Sequence, residues 1–256
     1  MSKLRRREKN GPGLLFIVIT LIVVAIAGAR FFDISPEQIE PPAAPRAEDT
    51  HPSPQPKDDP PRILILHSYA TGNYQPSTDS HQRGGEPGAV VAVGHELAAV
   101  LQQAGINVIH DKTVHDKPNY SEAFLKSQKT IEAVLKEHST IQIILDISRD
   151  GLQDKPENYT TVRIAGKEVA KVLFVIGDQN NLQTEANLAF AQQLSAELDA
   201  KYPGMSRGVR ILQADFNGNL HPNSVRIVIG DWKGNTVEQA KESARLLAQV
   251  LRSMFK

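Results

Sequence analysis

Short apolar runs and amphipathic stretches alternate along the chain from Arg62 onward. Ile63-Leu64-Ile65-Leu66 is a bare apolar run ending at His67, as expected of a strand buried on both faces. Over residues 88–105, Val90, Val93, Leu97, Val100 and Leu101 recur at helical spacing, and Gly105 supplies the stop. Residues 106–109 read as a strand. Residues 120–138 read as a helix with Phe124, Leu125, Ile131, Val134 and Leu135 along one side, and residues 141–147 as a strongly apolar strand. One further strand is predicted over 169–177, then a helix over Thr184–Lys201 closed by Tyr202-Pro203-Gly204. Strands over 209–212 and 225–229 and a last helix over 236–255 complete the pattern. Short strands alternating with long helices imply crossover connections, hence an α/β domain with a mostly parallel sheet flanked by helices. In such sheets ligands gather at the carboxyl ends of the strands. His67 and the run Ser148-Arg149-Asp150 fall at that edge.

The first sixty residues follow a different pattern. Residues 14–29 read LLFIVITLIVVAIAGA, with no charge and Thr20 the one polar side chain. As a helix they rise ~24 Å, close to the ~30 Å of a bilayer's hydrocarbon core. Gly13, Phe31 and Phe32 extend the span, with Arg30 able to snorkel. Lys3, Arg5, Arg6, Arg7 and Lys9 precede it, so the expected order is a cytoplasmic basic tip (1–12), a single transmembrane helix (13–32) and an exported remainder. A cleaved signal peptide ending near Ala27-Gly28-Ala29 is the rival reading, and it exports the same domain. Residues 33–61 hold nine prolines and few apolar side chains, the composition of a semi-rigid spacer. The folded domain is expected over 62–256.

Composition narrows the chemistry. The chain sums to zero formal charge, and its first thirty residues carry a surplus of five positive charges, so the body is mildly acidic. That is the wrong balance for a nucleic-acid binder. The absence of cysteine excludes disulfides, iron–sulfur clusters and thiolate nucleophiles, and leaves any zinc to His, Asp or Glu. His95-Glu96-Leu97-Ala98-Ala99 begins like the H-E-x-x-H zinc helix, but Ala99 stands where the second histidine must be. The stretch from His110 to Asp116 places two His and two Asp within seven residues. Such a cluster can bind metal or handle protons, or can simply bond backbone groups where a strand enters a loop. Arg149 and Asp150 can anchor an acidic substrate or pair with one another.

Several segments in order carry a family resemblance: His67 after its strand; Val93-Gly94-His95-Glu96-Leu97-Ala98; Gly105-Ile106-Asn107-Val108-Ile109; His110-Asp111-Lys112-Thr113-Val114-His115-Asp116; Pro118-Asn119-Tyr120; Asp146-Ile147-Ser148-Arg149-Asp150-Gly151; Ile164-Ala165-Gly166-Lys167; Lys171 to Gly177; and Tyr202-Pro203-Gly204. Together they resemble the stage II sporulation protein P family over nearly all of 62–256. The resemblance implies a zinc-amidase-like α/β fold and an extracytoplasmic N-acetylmuramoyl-L-alanine amidase, which cuts stem peptides from peptidoglycan during engulfment. It also implies as partners the lytic transglycosylase stage II sporulation protein D and the membrane protein stage II sporulation protein M.

This chain departs from the family at the metal. The family's His-Thr-His-x-x-Glu pattern keeps its first histidine as His67, but Tyr69 takes the second and Gly72 the glutamate. Ser148 replaces the histidine of Asp-Ile-His-Arg-Asp, with Asp146, Arg149 and Asp150 kept, and Val228 falls at the acidic position of the last strand. A catalytic zinc needs about three protein ligands and an open water position. The expectation is therefore a non-catalytic or weakly active homologue with no cofactor. His67 is a vestigial metal position, and Arg149, Asp150, His110 and His115 are candidate substrate contacts. The alternative is an active amidase whose zinc is held by a rebuilt set drawn from His81, His95, His110, His115 and Glu86.

Overall fold

The computed structural model describes residues 62–152, 155–156 and 158–255. The basic tip, the apolar span of 13–32 and the proline-rich spacer lie outside the described residues. Among the described residues no helix is long and apolar enough to cross a membrane.

In chain order the elements are β1 (Ile63–Leu66), α1 (Ala89–Gln103), β2 (Val108–His110), α2 (Ala123–Glu137), β3 (Ile143–Asp150), β4 (Thr161–Ile164), β5 (Lys167–Ala170), β6 (Val172–Gly177), α3 (Thr184–Lys201), β7 (Ser206–Leu212), β8 (Ser224–Asp231) and α4 (Val237–Ser253). Six strands form one sheet in the order β2-β1-β3-β8-β6-β7. All its neighbours are parallel except β6 and β8, which run antiparallel. The expected mostly parallel α/β sheet is present, with one reversal inside it.

Alternate residues of the strands feed two cores, as the period of a strand requires. Ile63, Ile65, Leu145, Ile147, Ile227 and Phe174 face α1, α3 and α4 in the main core. Leu64, Leu66 and Ile144 face Ile131 of α2 on the other side. Farther along that second face, Leu173, Val175 and Val228 form a small cluster against Phe216. Helix α4 starts on a capping box, in which Thr236 accepts from the Gln239 backbone N–H and Gln239 reaches back.

The strand expected over 169–177 is two strands. The chain breaks at Lys171, and the first half pairs antiparallel with β4 in a separate hairpin. Ala165 and Gly166, both at positive φ (48° and 82°), form the two-residue turn whose twist suits a hairpin. Strand β2 lies one to two residues later than expected, and β3, β7 and β8 are longer than their apolar runs, because polar residues at their ends still join the ladder.

Candidate functional site

His67 follows β1 and is fully buried. Its Nδ1 lies 2.9 Å from the Ile147 carbonyl, an acceptor only, so Nδ1 carries the proton. Its Nε2 is then a lone pair. The Nε2 of His110, at the end of β2, lies 2.9 Å away and must be the donor. The His110 Nδ1 is thereby left as a buried lone pair without a partner among the described residues. Burial pushes the pKa of His67 down to about 4 and, reinforced by its neighbour His67, that of His110 down to about 3, so both rings are neutral. The pair fits because α1 presents Gly94 to it. A Cβ there would stand 2.5 Å from His67 Cε1 and 3.0 Å from His110 Nε2.

The other histidines are also placed by the fold. His115 is buried, donates from Nδ1 to the His67 carbonyl at 2.9 Å and accepts at Nε2 from Thr130 Oγ1 at 2.9 Å. His81 belongs to a chain in which Arg149 Nη2 donates to His81 Nε2, His81 Nδ1 donates to Thr71 Oγ1, and Thr71 donates to Asp116. Burial and then Arg149 hold the His81 pKa below its ordinary value. His95 is exposed, stacked on His110 at 6.2 Å between ring centroids, and Glu86 is exposed.

Arg149 and Asp150, expected as substrate contacts, are engaged within the protein. Arg149 donates from Nε to the Asn73 carbonyl at 2.9 Å, from Nη1 to the Asp150 carbonyl at 3.3 Å and from Nη2 to the Ser80 carbonyl. The side chain clamps the loop after β1 onto the sheet edge. Asp150 accepts from Arg207 Nη1 at 2.7 Å, a largely buried pair. His115, with both nitrogens bonded, is likewise a brace, and His110 keeps only its sequestered Nδ1 lone pair. Each of these four residues thus has at least one bond within the protein.

The positions where the resemblance puts the lost ligands do converge, on the face of the sheet that carries α2. Ser148 and Val228 are register partners on adjacent strands. Between them and Tyr69 lies a residue that the sequence reading overlooked. Arg226 donates from Nε to Ser148 Oγ at 3.0 Å. Its guanidinium carbon lies 5.2 Å from the ring centroid of Tyr69, 5.4 Å from Phe124 and 5.3 Å from Phe216. Tyr69 also stacks on the half-exposed Tyr120, at 4.4 Å between centroids. A charged residue inside the apolar run 225–229 was the available signal, because a strand charge of this kind must find partners. Gly72, at the glutamate position, abuts Arg149 and carries no side chain to offer.

This donor set does not fit zinc. A phenol, a hydroxyl, an isopropyl group and a bare backbone surround a permanent cation that would repel a divalent ion. Among the described residues no group of three or more His, Asp or Glu is placed to hold a metal.

The fold is that of an α/β protein built like solved N-acetylmuramoyl-L-alanine amidases. The solved amidase AmiC2 of Nostoc punctiforme superposes with a TM-score of 0.50 at 12% identity, covering 76% of this chain and 98% of that one. The CwlD amidase from Clostridioides difficile, solved in complex with the GerS lipoprotein, gives 0.47 at 12% identity over 75% of this chain and 94% of that one. The profile of the Stage II sporulation protein P (SpoIIP) family matches residues 30–252, and the chain belongs to that family. It is 27% identical over 207 residues to Stage II sporulation protein P of Bacillus subtilis (strain 168). That match covers 75% of this chain and 51% of the relative, so the chain spans about half the length of the relative it matches.

Proposed function

We propose that this protein is a non-catalytic SpoIIP family member that holds peptidoglycan at the old amidase cleft during engulfment. In this reading the helix of 13–32 anchors it in the cell membrane in a single pass. The spacer of 33–61 carries the domain out to the wall. Other engulfment proteins are its expected neighbours. The observation that carries the reading is the guanidinium of Arg226, bonded to Ser148 at 3.0 Å amid the positions where zinc ligands would stand. Hydrolysis in an amidase of this kind needs a metal to polarise the amide and lower the pKa of water. Nothing at Tyr69, Gly72, Ser148 or Val228 can supply its ligands. The half-exposed Tyr120 on Tyr69 gives the cleft an aromatic floor suited to retaining a sugar or peptide. The rebuilt-zinc alternative, with ligands from His81, His95, His110, His115 and Glu86, draws no support from the geometry, since no three such ligands converge among the described residues.

The test uses the full chain, solubilised in detergent and purified without chelator. The expected result is sedimentation with isolated wall sacculi, zinc far below one per chain, and no stem-peptide release with or without added zinc. Zinc-dependent release of stem peptides overturns the proposal.

A further inference from the structure

The Arg226 guanidinium has a feature that metal displacement alone does not require. Its Nε is fixed by Ser148 and its faces are lined by Tyr69, Phe124 and Phe216. Yet Nη1 and Nη2 donate no hydrogen bond to any described residue, and Arg226 makes no ion pair among the described residues. Asp146, its register partner on β3, accepts at Oδ1 from the Ser68 backbone N–H at 2.8 Å and keeps a buried Oδ2 without a partner among the described residues. Arg149, another guanidinium at this edge, has every nitrogen bonded. Arg226 is thus an oriented, partly desolvated cation whose outer fork is unmatched. Four donors left over in a plane, stacked on aromatic rings, match a bidentate planar anion.

We propose that Arg226 is the receptor for a peptide carboxylate, taken bidentately by Nη1 and Nη2, with the Tyr69–Tyr120 stack flanking the residue that carries it. The inference rests on the wall-binding reading and names the part of the wall recognised: the free carboxyl of a stem peptide rather than the glycan. The aromatic lining holds the fork in place, so little side-chain entropy is lost on binding. Ser148 positions Nε, and Nη1 and Nη2 remain without a bond to any described residue.

The experiment titrates the full chain in detergent with N-acetyl-D-alanyl-D-alanine, its C-terminal amide and glycerol phosphate, by calorimetry. Sacculus sedimentation is scored in parallel. The expected result is saturable binding of the acid, with the amide and glycerol phosphate each at least tenfold weaker. Arg226→Lys keeps the charge and loses the fork. It is expected to weaken the acid at least tenfold while its circular dichroism stays that of the parent. Arg226→Gln is expected to abolish binding. Should either variant unfold, the comparison of acid with amide on the unaltered chain still decides. Equal binding of acid and amide, or binding of neither, overturns the carboxylate assignment. Glycerol phosphate binding as tightly as the acid also overturns it and makes the site a receptor for wall phosphate. Sacculi retained without dipeptide binding sinks this inference alone. Dipeptide bound without sacculi sinks the wall-binding reading alone.

Discussion

Ser148 and Arg226 sit on adjacent parallel strands, and the serine oxygen accepts from the arginine Nε at 3.0 Å. In the resemblance Ser148 stands where the family carries a histidine. By that resemblance, the residue that takes the histidine's place is the one that seats the cation. The loss of the ligand and the seating of the cation reinforce one another, because a divalent ion held by an imidazole at position 148 would face the like charge of the guanidinium.

Restoring the histidine alone should therefore fail. Ser148 is 2% exposed, so an imidazole there must displace Arg226 or its aromatic lining. Ser148→His is expected to lower stability by roughly 1–3 kcal/mol, as overpacked buried sites do. It should leave zinc content unchanged. Metal analysis and thermal unfolding of the variant check this; stoichiometric zinc would refute it.

Gly94→Ala offers a test in which two effects oppose. In a helix interior alanine is favoured over glycine by about 1 kcal/mol. Here the new Cβ would lie 2.5 Å from His67 Cε1, 2.6 Å from His67 Nε2 and 3.0 Å from His110 Nε2. These rings are held by Ile147 and by each other, so neither can yield cheaply. A net loss of about 2 kcal/mol or more is expected in urea unfolding. A stabilised variant would show that the imidazole pair is not held as described.

The same pair sets a pH dependence. The pKa values of His67 and His110 are pushed down to about 4 and about 3 by burial. In the unfolded chain both protonate near 6.5. Between pH 6.5 and about 4 the unfolded state binds more protons, so stability falls as pH drops, and above pH 6.5 the pair makes no contribution to the slope. For His67 the slope approaches ~1.4 kcal/mol per pH unit at its steepest. Thermal unfolding from pH 7 to 4.5 should show the decline, and His110→Gln should make it shallower. Parallel curves for the two proteins would contradict the assignment.

Arg149 clamps residues 73 to 80 through two carbonyls. Arg149→Ala leaves Asn73 and Ser80 without those donors and is expected to cost about 2 kcal/mol. Limited proteolysis should then cut the loop between β1 and α1 first. Arg149→Lys, a point charge without the fork, should rescue only part of the protection. An unchanged cleavage pattern in Arg149→Ala would remove the clamp.

The α/β pattern was legible because burial on both faces leaves bare apolar runs. β1 and α3 fall at the bounds that periodicity predicts. The break at Lys171 was hidden, since one lysine between Ala170 and Val172 looks like an ordinary polar residue in a strand, and the turn at Ala165 needs a positive φ that alanine does not advertise. The reversal of β6 was hidden too, because an apolar run carries no mark of its direction. At the cleft, the altered positions Tyr69, Gly72, Ser148 and Val228 were readable through the family resemblance. What surrounds them was not. Phe124 comes from α2 and Phe216 from the segment after β7, and their meeting around Arg226 depends on topology that spacing does not encode.

The reversal of β6 has a practical outcome for handling the protein. The chain leaves β6 on the rim remote from the carboxyl end of β1, and Leu182, in the connection that follows, is 99% exposed. A fluorophore or affinity handle attached at Leu182 should therefore stand in solvent and disturb no packed side chain, so the domain can be tethered or imaged without breaching its core.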